Sequence, residues 1–508
     1  MSTHRKGGEF AAPTTLGELK KSGYAPRSVK AELRANLIAR IRAGQPLFEG
    51  IHGYADTVIP ALERAILAGH SINLLGLRGQ AKTRMARSLV QLLDEWIPVV
   101  EGSEINDDPL APISRFAKDL IAKHGDATPI TWLHRDQRYT EKLATPDVTV
   151  ADLIGDSDPI KAANLKLDYS DERVIHFGLI PRSHRGIFVI NELPDLQPRI
   201  QVALFNILQE GDVQIRGFKL RLPLDIQFVF TANPEDYTNR GAIITPLKDR
   251  IQSQILTHYP PTIELGMKIT AQEVRSPKEQ ATRVLVPDLV RVIIERIAME
   301  ARESEYVDRR SGVSARLTIS ALESVISAAE RRALRNGEER TSVRIGDLQA
   351  VVPAITGKIE LVYEGEQEGP EHVAKHLLSV SVRNVFKELF PEAVKARRQG
   401  KASAQQRPGN DPFADLIAWF DAREVDLLLD APDKEHHAAL NAVPGLKDRV
   451  KKDHSYLRAE EIPLWMEFVL HGLAEHSRIG RNALVGSVRF GDVLGSLMSG
   501  EAEEEREG

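Results

Sequence analysis

A lysine and a threonine side by side at the start of a helix, with glycines just before them, can hold a chain of phosphates. The segment Gly76-Leu77-Arg78-Gly79-Gln80-Ala81-Lys82-Thr83 has this form: the apolar run Ile72 to Leu75 precedes it, and a helical pattern continues through Arg84. Glycine lets the backbone curl until successive N–H groups face one point, and the following helix adds the positive end of its dipole. Lys82 can then reach the β and γ phosphates of ATP, and Thr83 can place its hydroxyl on Mg²⁺. Gly76, Gly79, Gln80, Ala81, Lys82, Thr83 and Arg84 are the candidate cradle. Ala81 stands where the general pattern G-x-x-x-x-G-K-[ST] has its last glycine. The plain alternative is an ordinary turn between a strand and a helix.

Further along, Gly186 to Ile190 reads as a buried strand ending in Asn191-Glu192. Ligands of open α/β sheets bind at that strand edge. A carboxylate there can orient and deprotonate the water that attacks a γ phosphate, which is the part expected of Glu192. A polar strand end with no task is the alternative. The run Ile226 to Thr231 leads into Ala232-Asn233-Pro234, where the Asn233 amide can meet the γ phosphate or the water, or simply start a turn. In Thr245-Pro246-Leu247-Lys248-Asp249-Arg250, the Arg250 guanidinium can stabilise charge on a transferred phosphoryl group, or merely pair with Asp249.

Several elements must position these groups. A chain of 508 residues exceeds one ordinary core. From residue 46 to 260, helical patterns alternate with short β-rich runs, which indicates an α/β domain with a mainly parallel sheet. Residues 1–45 read as a polar tail and a docking helix, with Val29, Leu33, Leu37, Ile38 and Ile41 at helical spacing. Amphipathic helical patterns dominate residues 261–364, for example Leu289, Ile293 and Ile297, followed by a helical extension at 365–395. The polar stretch 396–412 reads as a linker, 413–500 as a C-terminal helical domain and 501–508 as an acidic tail.

Composition excludes several classes. With no cysteine, thiolate zinc sites, iron–sulfur clusters, disulfide scaffolds and cysteine nucleophiles are ruled out. A net charge of -5 shows no global basic field, which argues against nucleic acid as a partner. No apolar stretch is long enough for a membrane span, and the expected location is cytoplasmic. Adjacent His436 and His437 point about 100° apart on a helix and read as solvated. Basic runs such as Arg331-Arg332 and Lys451-Lys452 read as exposed helix faces.

The order and spacing of these motifs resemble the AAA+ ATPases of the magnesium chelatase I-subunit and MoxR group over about residues 46 to 360. In that group the loop commonly reads G-x-x-G-x-A-K-T, which matches Ala81. Asp152-Leu153-Ile154-Gly155 with Asp158, then Phe177-Gly178-Leu179-Ile180-Pro181, His184 and Arg185-Gly186, look like the segment preceding the second nucleotide motif of the chelatases. The resemblance implies a P-loop core with its parallel sheet flanked by helices, an α-helical lid domain and a C-terminal helical region. It implies ATP and Mg²⁺ as cofactors, Asn233 as the first sensor, Arg250 as an arginine finger and Arg316 as the second sensor. It also implies a helix-two insertion at about 147 to 166 and a hairpin at 211 to 224. One position departs: the group ends its second motif Asp-Glu, whereas this chain has Asn191-Glu192. The Asn191 carbonyl can still hold a Mg²⁺-bound water beside Thr83, but brings no charge.

Three functions are expected to compete. The first is a homo-oligomeric ring motor, typically hexameric, that remodels a separate protein carrying a von Willebrand A domain. The second is the ATPase subunit of a magnesium chelatase that inserts Mg²⁺ into protoporphyrin. The third is a DNA-associated AAA+ regulator, against which the near-neutral charge counts.

Overall fold

The computed structural model describes residues 12–168, 171–215, 221–234, 242–393 and 411–493. The tails at 1–11 and 501–508, and the expected linker through residue 410, lie outside the described residues. The chain forms two compact units, Met1–His258 and Tyr259–Gly508.

The first unit is built on five strands: β1 (Ile72–Leu75), β2 (Tyr139–Leu143), β3 (Gly186–Asn191), β4 (Ile226–Ala232) and β5 (Ser253–Leu256). They lie in the order β5-β1-β4-β3-β2, and every neighbouring pair is parallel. Parallel neighbours need crossovers, and these cover both faces of the sheet. That is why β3 and β4 are apolar almost throughout and buried along their whole length. Side chains alternate between the faces. Ile187, Val189 and Val229 pack with Leu33 and Leu37 of α1 (Val29–Arg42) and with Leu62 and Ile66 of α2 (Val58–Leu67). Phe188, Ile190, Phe228 and Phe230 pack on the opposite side with Ile200, Leu204 and Ile207. The N-terminal helix is therefore part of the main core.

A buried ion pair also ties α1 to the sheet. Arg138, just before β2, meets Glu32 through two bonds of 2.7 Å. The two stretches that resemble the chelatase segment are brought side by side as an antiparallel pair, Gly155–Ser157 with Ile175–Phe177. Glycine is required there, because a Cβ on Gly178 would lie 2.6 Å from the Ile154 nitrogen. Asp212–Gln214 and Arg221–Pro223 form the two arms of the expected hairpin.

The second unit is mainly helical: α4 (Asp288–Glu303), α5 (Arg316–Arg335), α6 (Pro370–Leu389) and α7 (Ile462–Glu475) enclose one core that extends from Val284 to Phe490. Along α7, Leu464, Trp465, Met466, Phe468, Val469, Leu470 and Leu473 are all buried. Gly472 lets α7 approach α6, since any Cβ there would strike the Phe386 ring. Within the C-terminal helical region stands an antiparallel sheet absent from the sequence reading: β6 (Val425–Leu428), β7 (Gly480–Leu484) and β8 (Ser487–Gly491), ordered β6-β8-β7. Each of these strands has too few alternating apolar residues to signal itself.

Two expectations about polar side chains are corrected here. Arg331 is exposed, but Arg332 is buried between Asp347 at 3.0 Å and Asp433 at 2.9 Å, on the inward face of α5. His436 is likewise buried, not solvated, because it shares the inward side of helix Asp433–Asn441 with Leu440. Its Nε2 faces the buried Glu467 at 3.5 Å. Among the described residues, no group of three or more His, Asp or Glu could hold a metal ion. No helix among them is long and apolar enough to cross a membrane.

Candidate nucleotide-phosphate site

The phosphate loop leaves the C-terminal end of β1, where the Gly76 N–H still donates to the Ala232 carbonyl of β4 at 3.1 Å. Gly79 turns with φ 74° and Ala81 with φ 57°, after which α3 (Lys82–Ser88) begins. The left-handed region disfavours residues with a Cβ, so Ala81 is held there by its surroundings. Gly76 has no room for a side chain: a Cβ would overlap Thr257 Oγ1 and Gln80 Oε1. Those two atoms are themselves bonded at 2.6 Å, which fastens the loop to the residue after β5. The Tyr54 hydroxyl lies 2.9 Å from the carbonyl oxygens of both Gln80 and His258.

Lys82 is buried, and its ammonium donates to the Leu77 carbonyl at 2.9 Å, to Asn233 Oδ1 at 2.6 Å and to the Gly76 carbonyl. The loop has thus curled around the cation. Asn233, just past β4, in turn donates through Nδ2 to Glu192 Oε2 at 2.7 Å. Lys82, Asn233 and Glu192 are one hydrogen-bonded chain across the C-terminal edge of the sheet. Glu192 has φ 55°, so both Ala81 and Glu192 carry left-handed backbone in this small region. Such strain collects at functional sites.

Beside that chain, the Thr83 hydroxyl lies 3.4 Å from Asn191 Oδ1. Thr231, which the sequence reading did not single out, donates to the same oxygen at 3.2 Å and accepts from the Glu192 N–H at 3.1 Å. Its signal was a hydroxyl at the polar end of an apolar strand. Tyr54 and Thr257 had none, because only the fold brings them to the loop.

Of the other expected residues, Arg250 makes its bonds outside this cluster, and Arg84 and Arg316 are exposed. Arg84 is exposed in the first turn of α3. Arg250 ends helix Thr245–Arg250, where it reaches Gln209 at 3.0 Å and the Pro246 carbonyl at 2.7 Å and lies 4.7 Å over the Phe205 ring. Asp249 is not its partner, and no side chain of the phosphate site is. Arg316 opens α5 in the second unit and is exposed.

These groups fit a triphosphate, with a buried ammonium, a helix N-terminus and a loop whose backbone is already curled. They fit a divalent cation only in part. The donors that would meet it are a threonine hydroxyl and a neutral amide, and the carboxylate of Glu192 is engaged by Asn233.

A phosphate loop on the second strand from the sheet edge, with its amide and acid partners on the two strands beyond, is the arrangement of a P-loop core of the AAA+ type, and the fold of this chain has it. Sequence comparison narrows the likeness. No family model matches the chain. It is 25% identical over 239 residues to the magnesium-chelatase 38 kDa subunit of Cereibacter sphaeroides, covering 46% of this chain and 58% of that protein. The corresponding subunit of Rhodobacter capsulatus is 26% identical over 243 residues, 47% of this chain and 59% of its own. The chain thus matches less than two thirds of the length of these relatives. A solved chain from the complex between subunits BchI and BchD of magnesium chelatase overlaps 63% of this chain and 98% of its own, with 19% identity and a TM-score of 0.33, too loose an overlap to carry detail. The chain thus combines a P-loop core of the AAA+ type with a sequence similar to that of the 38 kDa subunit of magnesium chelatase.

Proposed function

We propose that this protein binds and hydrolyses ATP, and that it works as a ring motor acting on a separate protein. The observation that carries the reading is the hydrogen-bonded chain of Lys82, Asn233 and Glu192 at the mouth of the phosphate loop. An arriving triphosphate offers oxygens that compete with the Gly76 and Leu77 carbonyls for the Lys82 ammonium. Asn233 can then turn its amide toward the γ phosphate and release the Glu192 carboxylate. Glu192 takes a proton from water, the water oxygen bonds to the γ phosphorus, and the bond to the β-phosphate oxygen breaks to leave ADP and phosphate. Mg²⁺, the second expected cofactor, would meet Thr83 and Asn191.

Arg250 is held by Gln209 and Phe205 on its own subunit, which suits a finger presented outward to the nucleotide of a neighbouring copy in a ring, taken here as a hexamer. Arg316 is the proposed sensor from the lid. The partner is proposed to carry a von Willebrand A domain. The similarity to 38 kDa chelatase subunits supports a second reading, the ATPase subunit of a magnesium chelatase. Reconstitution with the two other chelatase subunits separates the two: ATP-dependent insertion of Mg²⁺ into protoporphyrin occurs only under the second.

Steady-state ATPase assays test the common part. Lys82→Ala and Glu192→Gln are expected to lower turnover about a hundredfold or more. Arg250→Ala is expected to do the same, with wild-type specific activity rising with protein concentration. Wild-type rates in the first two variants would remove the hydrolysis proposal.

A further inference from the structure

The partial fit of a divalent cation has a consequence for how the site holds its nucleotide. Asn191 is buried at the end of β3, with 8% of its surface exposed. Its Oδ1 lies within reach of two hydroxyls, Thr83 at 3.4 Å and Thr231 at 3.2 Å. The other half of the amide consists of N–H donors, which attract phosphate oxygens and repel a metal ion. Turning the amide over would exchange the two ends but would not create a charge. The one carboxylate in the cluster, Glu192, is bonded to Asn233. Protein sites for Mg²⁺ rely on one or two carboxylates together with substrate phosphates, because the ion gives up its water reluctantly. Here the negative charge that would draw the ion in is reduced, while the Lys82 ammonium and the loop N–H groups remain for the phosphates.

We infer that Asn191 uncouples nucleotide binding from Mg²⁺, so that this site takes the free triphosphate about as tightly as the metal-bound one. The inference rests on the proposal that ATP occupies this loop. Lys82 brings positive charge to the phosphates, and the loop N–H groups and the Asn191 amide can donate hydrogen bonds to them, without the ion. An aspartate at 191 would reverse the situation in two ways. It would repel the bare triphosphate together with Glu192, and it would supply the charge that recruits the ion.

The test is a fluorescence titration of the full chain with a ribose-labelled ATP analogue, in excess Mg²⁺ and in EDTA. The wild-type dissociation constants are expected to differ by less than about fivefold, below the usual size of a coupling between two ligands. Asn191→Asp is expected to widen the ratio by a further factor of about five or more, mainly through weaker binding in EDTA. A larger wild-type ratio overturns the inference, and that measurement needs no variant. An unchanged ratio in a folded Asn191→Asp protein overturns it as well. Failure of the underlying reading looks different: the wild type binds in neither buffer, or Lys82→Ala binds as well as wild type.

Discussion

Glu32 and Arg138 offer a direct test of whether α1 is integral to the first unit. Their side chains are 4% and 1% exposed, and two bonds of 2.7 Å join them. Arg138 Nε also donates to the Arg185 carbonyl at 2.8 Å. Glu32→Leu removes the counter-charge and leaves a guanidinium enclosed in the protein, which costs about 3–5 kcal/mol. In a unit of this size each kcal/mol lowers the midpoint by roughly 2–4 °C, so a fall of about 6–20 °C is expected. Arg138→Met should be comparable, since it strands the carboxylate. The double variant puts apolar groups on both sides, and such replacement of a buried pair is often close to neutral. It still leaves the Arg185 carbonyl and the Asp94 N–H, which Glu32 accepts, without their partners. The double variant should therefore be more stable than the sum of the singles by at least about 2 kcal/mol. Differential scanning calorimetry of the full chain measures all four members of the cycle. Single effects that add within about 0.5 kcal/mol would refute a direct interaction and with it the anchoring of α1.

Two further outcomes follow from the backbone and from buried histidines. Ala81→Gly relieves the left-handed strain at the loop and should leave the midpoint unchanged or raise it, whereas the β-branched Ala81→Val should lose about 1–2 kcal/mol, both read by thermal melting. Burial, reinforced by Arg185, holds His184 at a pKa of about 4, and burial holds His471 at about 4 as well, against an ordinary 6.5. Between about pH 6.5 and 4 the unfolded chain takes up a proton on each ring that the folded chain refuses, so stability should fall as pH falls through that window. His184→Gln should flatten the decline in the midpoint of the first unit, and an equally steep decline in that variant would count against the assignment.

Most of the candidate phosphate site was legible in the sequence because its parts are local. A strand, a glycine turn and a Lys-Thr pair sit within a dozen residues, and each strand that carries a partner is a mainly apolar run with a polar residue at or just after its end. The edge strands β2 and β5 were missed for the converse reason: their exposed sides break the apolar run, and only pairing with β3 and β1 makes them strands. Arg332 and His436 were misplaced because charge and basicity predict exposure until a partner is known. Their partners Asp347, Asp433 and Glu467 come from elsewhere in the chain.

Residue type and spacing alone named the candidate phosphate-binding side chains and the candidate carboxylate to activate water, and determined that Asn191 brings no charge, since these are properties of chemistry and of neighbours in sequence. The tertiary structure decided how they act together. Only when β1, β3 and β4 lie side by side does Asn233 bridge Lys82 to Glu192, and do Thr83 and Thr231 converge on one amide. Residues 40 to 151 positions apart carry no mutual signal in sequence, because hydrogen bonds form over about 3 Å and that distance is set by the packing of the sheet.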